Sequence, residues 1–238
     1  MKFINVKRYW KNYLAILLIT GIIVSCSKMD EYKDFLKDGP IIYTGRVDSI
    51  KVYPGNNRIL LTMLLLSDPK ITRVTVYWND KNDSVVQNIV RTSGVDTVRF
   101  MLTNMPEGTH NFNIYTYDDA GHSSIKVDTI GIVYGQNYIN SLFNRSLRNV
   151  AYIGGSKARL VWYGPSTQTI GEQIKYTDSL GANIDFIEPV YKPNGQIKDT
   201  TILNNFKKLN YFQYRTLYKP VPEALDTFYS QYLSVQVL

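Results

Sequence analysis

Cysteine is all but absent from this chain, with Cys26 alone among 238 residues. Internal disulfides and thiolate metal sites are therefore excluded, and the fold must rest on packing. Histidine is nearly as scarce: only His110 and His122 occur, and no helix carries a paired-histidine metal motif. A phosphate-cradling glycine loop and a Gly-x-Ser-x-Gly elbow are missing too. Neither a metal nor an organic cofactor is expected. The apolar run from Tyr13 to Val24, broken only by Thr20 and Gly21, is about a dozen residues long and falls short of the roughly 20 that span a bilayer as a helix.

What stands at the start is a leader. Lys2, Lys7, Arg8 and Lys11 precede the apolar run, and no acid occurs before Asp30; this is the charge pattern of an export signal. Ile23-Val24-Ser25-Cys26 replaces the usual small-residue cleavage pattern and resembles a bacterial lipobox. Cleavage would leave Cys26 as a lipidated N-terminus, with more than one acyl chain to hold the membrane stably. The following Ser27-Lys28-Met29-Asp30-Glu31 resembles the acidic export signal that sends Bacteroidota lipoproteins to the outside of the outer membrane. Loss of residues 1–25 removes four of the 27 basic residues and leaves 23 against 20 acids. The high pI thus belongs largely to the leader, and no Lys/Arg cluster remains for nucleic acid.

Beyond a charged tether, residues 26–40, the chain is rich in Tyr, Val, Ile and Thr, with apolar and polar residues tending to alternate. That composition and period predict β-structure. In a first block, residues 41–134, strands are expected at Val47–Val52, Arg58–Leu66, Val74–Trp78, Ser84–Val90, Thr97–Leu102, Phe112–Tyr117 and Ser124–Val133. The second of these is apolar enough for a central position. Seven short strands with regular turn signals predict a β-sandwich.

A second block, residues 147–238, repeats the first about 100 residues on. Arg159-Leu160-Val161-Trp162-Tyr163 matches Leu60–Leu64, Ile174–Asp178 matches Val76–Asp80, and Phe212–Leu217 matches Phe112–Tyr117. The expected fold is all-β, two tandem sandwiches. Trp162 with Gly164-Pro165 after it, Tyr176 or Trp78 on the third strand, and the Met105–Thr109 turn resemble fibronectin type III or immunoglobulin-like modules. Met63 stands where the first block should carry the strand tryptophan. Between the blocks, residues 135–146 form a linker; around it, Tyr134, Tyr138, Leu142 and Phe143 are too apolar for a solvated spacer and are expected to pack between the domains at a fixed angle.

From Cys26 to its end the chain also resembles the domain of unknown function 4998 family of Bacteroidota lipoproteins. The likeness rests on Cys26-Ser27-Lys28-Met29-Asp30, Leu64–Lys70, Val76-Tyr77-Trp78-Asn79, Arg91–Thr97, Ile114–Asp118 and Tyr214–Tyr218. It implies a surface lipoprotein, often from genomes rich in glycan-uptake systems, and transfers no activity.

Candidate chemistry is thin. His110 is expected to be structural at the start of the sixth strand, and His122 solvated after its turn. Asp80, Asp83, Asp118, Asp119 and Asp178 sit in turns, which Asp favours by bonding to nearby backbone; Asp118 and Asp119 fall far short of the six to eight oxygens calcium takes. The better candidate is aromatic. If Val74, Val76 and Trp78 face the core, period two turns Tyr77 outward, and likewise Tyr115 and Tyr117 on the sixth strand. With Asn79 and Asn113 beside them, these rings would suit a sugar, or would pack against the second block or linker. The expectation is a non-catalytic surface lipoprotein anchored at Cys26 that binds a glycan or a partner protein in an outer-membrane assembly. The alternatives are a glycan-processing hydrolase with loop carboxylates and a structural spacer.

Overall fold

The computed structural model describes residues 42–66 and 68–238. The leader, Cys26 and the tether lie outside the described residues, so the readings made on them meet no structure. Both sandwiches fall in one compact unit, Thr44–Leu238.

The first sandwich has strands β1 (Asp48–Pro54), β2 (Arg58–Leu65), β3 (Arg73–Trp78), β4 (Asp83–Asn88), β5 (Asp96–Thr103), β6 (Gly108–Tyr117) and β7 (Val127–Val133). They form a three-stranded sheet, β1-β2-β5, and a four-stranded sheet, β4-β3-β6-β7, all antiparallel. Strict alternation builds the core. Ile59, Leu61, Met63 and Leu65 of β2 are buried, as are Val98, Phe100 and Leu102 of β5, Val74 and Val76 of β3, and Phe112 and Ile114 of β6. β2 lies at the centre of its sheet, as its apolar run requires. Met63 fills the tryptophan's place at zero exposure, a role suited to its flexible thioether. Gly131 lets β7 close on this core, because a Cβ there would overlap the Ile59 side chain.

The second sandwich repeats the plan. β8 (Leu147–Gly154), β9 (Lys157–Trp162) and β12 (Thr200–Leu203) form one sheet. β10 (Thr169–Thr177), β11 (Asn183–Pro189) and β13 (Tyr211–Tyr218) form the other, with β14 (Phe228–Tyr229) and β15 (Leu233–Gln236) pairing successively along β13 as one broken edge strand. Trp162 is buried, donates from Nε1 to Thr201 Oγ1 at 3.0 Å, and meets Tyr214 edge-on at 5.1 Å.

One device appears in both halves. Thr116 on β6 is fully buried; its hydroxyl donates to Gly45 O at 2.6 Å and accepts from Thr44 Oγ1 at 2.8 Å, while its N–H donates to Ser124 Oγ at 3.1 Å. Thr216 on β13 is its counterpart: Arg145 N donates to Thr216 Oγ1 at 2.7 Å, and Thr216 N donates to Ser230 Oγ at 2.8 Å. Each threonine pins the chain that leads into its own sandwich.

Between the sandwiches the chain makes one short helix, α1 (Gln136–Asn140). Its first N–H groups have no side-chain cap from the adjoining residue, and Glu107 supplies one from a distance, accepting Asn137 N and Tyr138 N at 2.7 Å each. Tyr134 and Tyr138 pack on one another and on Phe228, with ring centroids 4.7 to 5.8 Å apart. Across the joint, Asp226 accepts Asn56 N at 2.8 Å and Arg58 Nε at 3.0 Å, and Leu225 N donates to Pro54 O at 2.7 Å. Phe143 departs from expectation: it is 81 % exposed. Its carbonyl accepts the Tyr218 hydroxyl, and that bond fixes the backbone there without using the ring.

These contacts predict a stiff joint. Limited proteolysis should spare residues 134–145 in the wild type and cut there readily in an Asp226→Ala, Tyr138→Ala double variant; ready cutting of the wild type would show a free hinge.

Candidate functional site

The outer face of the β4-β3-β6-β7 sheet gathers the aromatic candidates. The register sets Tyr77 against Asn113, Thr75 against Tyr115, and Arg73 against Tyr117. With Val74, Val76, Phe112, Ile114 and Thr116 buried inward, Tyr77, Tyr115 and Tyr117 point outward and are half-buried. Tyr77 meets Tyr115 edge-on at 5.9 Å, Tyr115 lies 6.4 Å from Tyr117, and the Tyr77 and Tyr117 hydroxyls are 3.4 Å apart. Thr75 on the same face is 3 % exposed, so the rings form a close-packed patch. Burial, and then the hydrogen bond to Tyr77, push the Tyr117 phenol up to about 12.

Two cations lie on this patch. The Arg73 guanidinium sits 4.5 Å over the Tyr117 ring, and Lys81 Nζ sits 5.1 Å over Tyr115 and donates to its hydroxyl at 3.2 Å. Lys81 is aimed there by its turn, in which Asn79, Asp80 and Lys81 all have positive φ, at 50°, 52° and 65°. Asn and Asp tolerate that region; a lysine there is strained. These contacts all lie within the first sandwich, while the joint is built from other residues.

The two amides are placed differently. Asn113 is on the face beside Tyr77 and donates to Asp128 Oδ1 at 2.9 Å; Asn79 is in the exposed turn and donates to Asp83 Oδ2 at 3.1 Å. Near them are two clefts of about 390 and 340 Å³, both bordered by Trp78, Asp80 and Asn111. His110 bonds through Nε2 to Pro106 O at 2.8 Å. His122 is not simply solvated: its ring Nδ1 lies 2.7 Å from Asp118 Oδ2, and its N–H donates to Asp118 Oδ1 at 2.8 Å. Both oxygens of Asp118 are thereby engaged, and among the described residues no three His, Cys, Asp or Glu side chains are grouped to hold a metal ion.

In the second sandwich stands a residue that no motif marks, Glu172. It is at zero exposure beside buried Arg145, whose Nη1 lies 3.3 Å from Glu172 Oε1; Glu172 Oε2 has no partner among the described residues. Arg145 also donates to Tyr163 O at 2.7 Å and Lys198 O at 3.2 Å. The one sequence signal that could have marked it is period two on β10, which sets Glu172 in the inward register of Ile174 and Tyr176. Burial pushes its carboxyl up to about 7, against the opposing pull of Arg145. An open basin of about 1100 Å³ lies between the β10–β11 hairpin and the loop before β13. Its Asp178 and Asp185 are already bonded, to Leu180 N and Ala182 N and to Gln173 respectively, and Lys207 and Lys208 at its rim are exposed.

Two sandwiches, each with a three-stranded sheet facing a sheet extended at the opposite edge, define a tandem pair of fibronectin type III-like modules. A profile described as a domain of unknown function, DUF4998, matches residues 26–228, and the chain belongs to that family. Similar solved structures include a two fibronectin type III domain segment from chicken tenascin, at 13 % identity and a TM-score of 0.31, covering 81 % of this chain and 99 % of that one. Another is the FN1–FN3 domains of chicken CNTN1, at 11 % identity and a TM-score of 0.37, covering 84 % of this chain and 66 % of that one. No curated protein matches the sequence.

The state of Glu172 has a measurable consequence. Its carboxyl keeps its proton to about pH 7 in the fold, against an ordinary value of 4.5, so between those values the unfolded chain binds fewer protons. Its stabilising contribution is complete below the ordinary value and is lost as pH rises through about 7, on the order of 3 kcal/mol in all. Urea denaturation from pH 5 to 8 should show stability falling in the wild type and holding nearly level in Glu172→Gln; equal slopes would refute this.

Proposed function

We propose that the protein is a non-catalytic, lipid-anchored module of the cell surface that binds a glycan on the outer face of its first sandwich. The observation that carries this reading is the outward row of Tyr77, Tyr115 and Tyr117, with Asn113 beside Tyr77, built outside the joint. Aromatic faces with adjacent amides suit sugar rings, which offer apolar C–H faces and hydroxyl edges. A non-catalytic role agrees with the acids. Glu172 is sealed from solvent, both oxygens of Asp118 are bonded to His122, and Asp178 Oδ1 accepts two N–H groups of its own turn, whereas glycoside hydrolysis needs two carboxylates on either side of one bond.

Anchoring rests on the leader pattern and on Cys26. The family match starts at that residue, so residues 1–25 stand outside the shared region, as a cleaved leader would. The acidic Met29-Asp30-Glu31 supports an outer-membrane, outward-facing position. A second reading, a partner protein in an outer-membrane assembly, is favoured by Arg73 and Lys81 lying over the ring faces, since Tyr and Arg together are the residues that dominate protein interfaces.

Cys26→Ala should move the protein from the membrane fraction to the soluble one; retention in the membrane would end the lipoprotein reading. A soluble chain beginning at Lys28 should be retarded in gels containing its polysaccharide, with Tyr77→Ala, Tyr115→Ala and Tyr117→Ala each weakening binding about tenfold, or roughly 1.4 kcal/mol. Free migration of the wild type through every polysaccharide would favour the protein partner.

A further inference from the structure

Past the tyrosines, toward the Gly108 end of β6, the first sandwich has two clefts bordered by Trp78, which stands in the core-facing register of Val74 and Val76 and is half-buried against the core. Their volumes, about 390 and 340 Å³, fall at the lower end of the roughly 300–1,000 Å³ range of small-ligand pockets. Three side chains border both: Trp78, Asp80 and Asn111.

The polar groups here divide into two sets. Asn79 is bonded to Asp83, Asn113 and Lys126 to Asp128, and His110 to a backbone carbonyl. These form the walls. The side chains of Asp80 and Asn111 make no hydrogen bond among the described residues, and both are exposed. Asp80 is also held by backbone, as the middle of three successive residues with positive φ.

The chemistry of the lining selects the ligand. Asp80, Asp83 and Asp128 against Lys126 disfavour phosphates, uronates and other anions. The acids are not grouped for a metal ion, as noted above. An apolar ligand would bury Asp80 and Asn111 without partners, at a cost in free energy. What remains is an uncharged molecule with many hydroxyls and one apolar face. A carboxylate accepts two hydroxyl protons, an amide both donates and accepts, and an indole offers a flat wall.

We propose that Trp78, Asp80 and Asn111 form a subsite for one neutral pyranose ring, Trp78 walling the ring while Asp80 and Asn111 bind adjacent hydroxyls. The subsite deepens the glycan reading above and rests on it. A bound chain would run along β6, from the tyrosine patch toward the Gly108 end.

Calorimetric titration of the full chain in detergent micelles with neutral gluco-, manno- and xylo-oligosaccharides, and with uronic-acid oligomers, tests this. Asp80→Asn and Asn111→Ala should each weaken neutral-sugar binding about tenfold at unchanged melting temperature. In a soluble chain beginning at Lys28, which keeps Trp78 and Trp162 but not Trp10, Trp emission should shift on binding in the wild type and not in Trp78→Phe; Trp162 is 3 % exposed, in the second sandwich. Unchanged affinity in both polar variants with loss in Tyr77→Ala would overturn the subsite and leave the glycan reading standing, as would binding of uronic-acid oligomers alone. Loss in the polar variants with full binding by all three tyrosine variants would support the subsite and remove the tyrosine patch. Failure of the wild type to bind any sugar would overturn both.

Discussion

Much of this molecule depends on one buried hydroxyl in each half. Thr116 and Thr216 occupy equivalent points on the sixth strand of their sandwiches, at zero exposure, where an unbonded hydroxyl would be destabilising. Each satisfies itself by gripping the chain that leads into the sandwich: Thr44 and Gly45 in the first, Asn144 and Arg145 in the second. Ser124 and Ser230 complete the two sets from the following segment. The second grip has further consequences. It brings Arg145 into the sandwich, where the guanidinium meets Glu172 and lies 5.7 Å from Trp162, and it fixes where the linker must end.

The two halves have diverged in what they expose. In the second sandwich the face matching the tyrosine patch carries Arg215 at 3.9 Å over Tyr229 and 4.8 Å over Tyr232, with Lys175 also over Tyr232. Gln173 and Asp185 bond into the same surface. That face is tied together by the broken edge strand and its loop. The first face lacks such a strap, and its rings run on into open clefts.

Period two made the strands and the outward tyrosines legible, because each strand here has one dry face and one wet one. The repeat was legible for the same reason, since inward residues such as Phe112 and Phe212 recur at matching positions. Other features depend on contacts that local pattern does not carry. Helix α1 is five residues long and has its donors satisfied by Glu107, some thirty residues away. Phe143 reads as a linker anchor, yet its backbone carbonyl makes the contact. His122 was expected in solvent, and a turn carboxylate one hydrogen bond away holds it. Glu172 stands in the inward register of β10 but carries no motif, its partner Arg145 comes from the linker, and no local spacing joins the two.

The threonine grips also determine how the protein bears load. Thr44 and Gly45 precede β1 and are fastened to β6 at the centre of the sheet opposite. Tension arriving from the preceding chain therefore meets the bonds of Thr44 and Gly45 to Thr116, 2.6 to 3.1 Å long, before it reaches any edge strand. They fasten the entry segment to the sheet opposite β1, so these bonds must break before β1 can be peeled from β2.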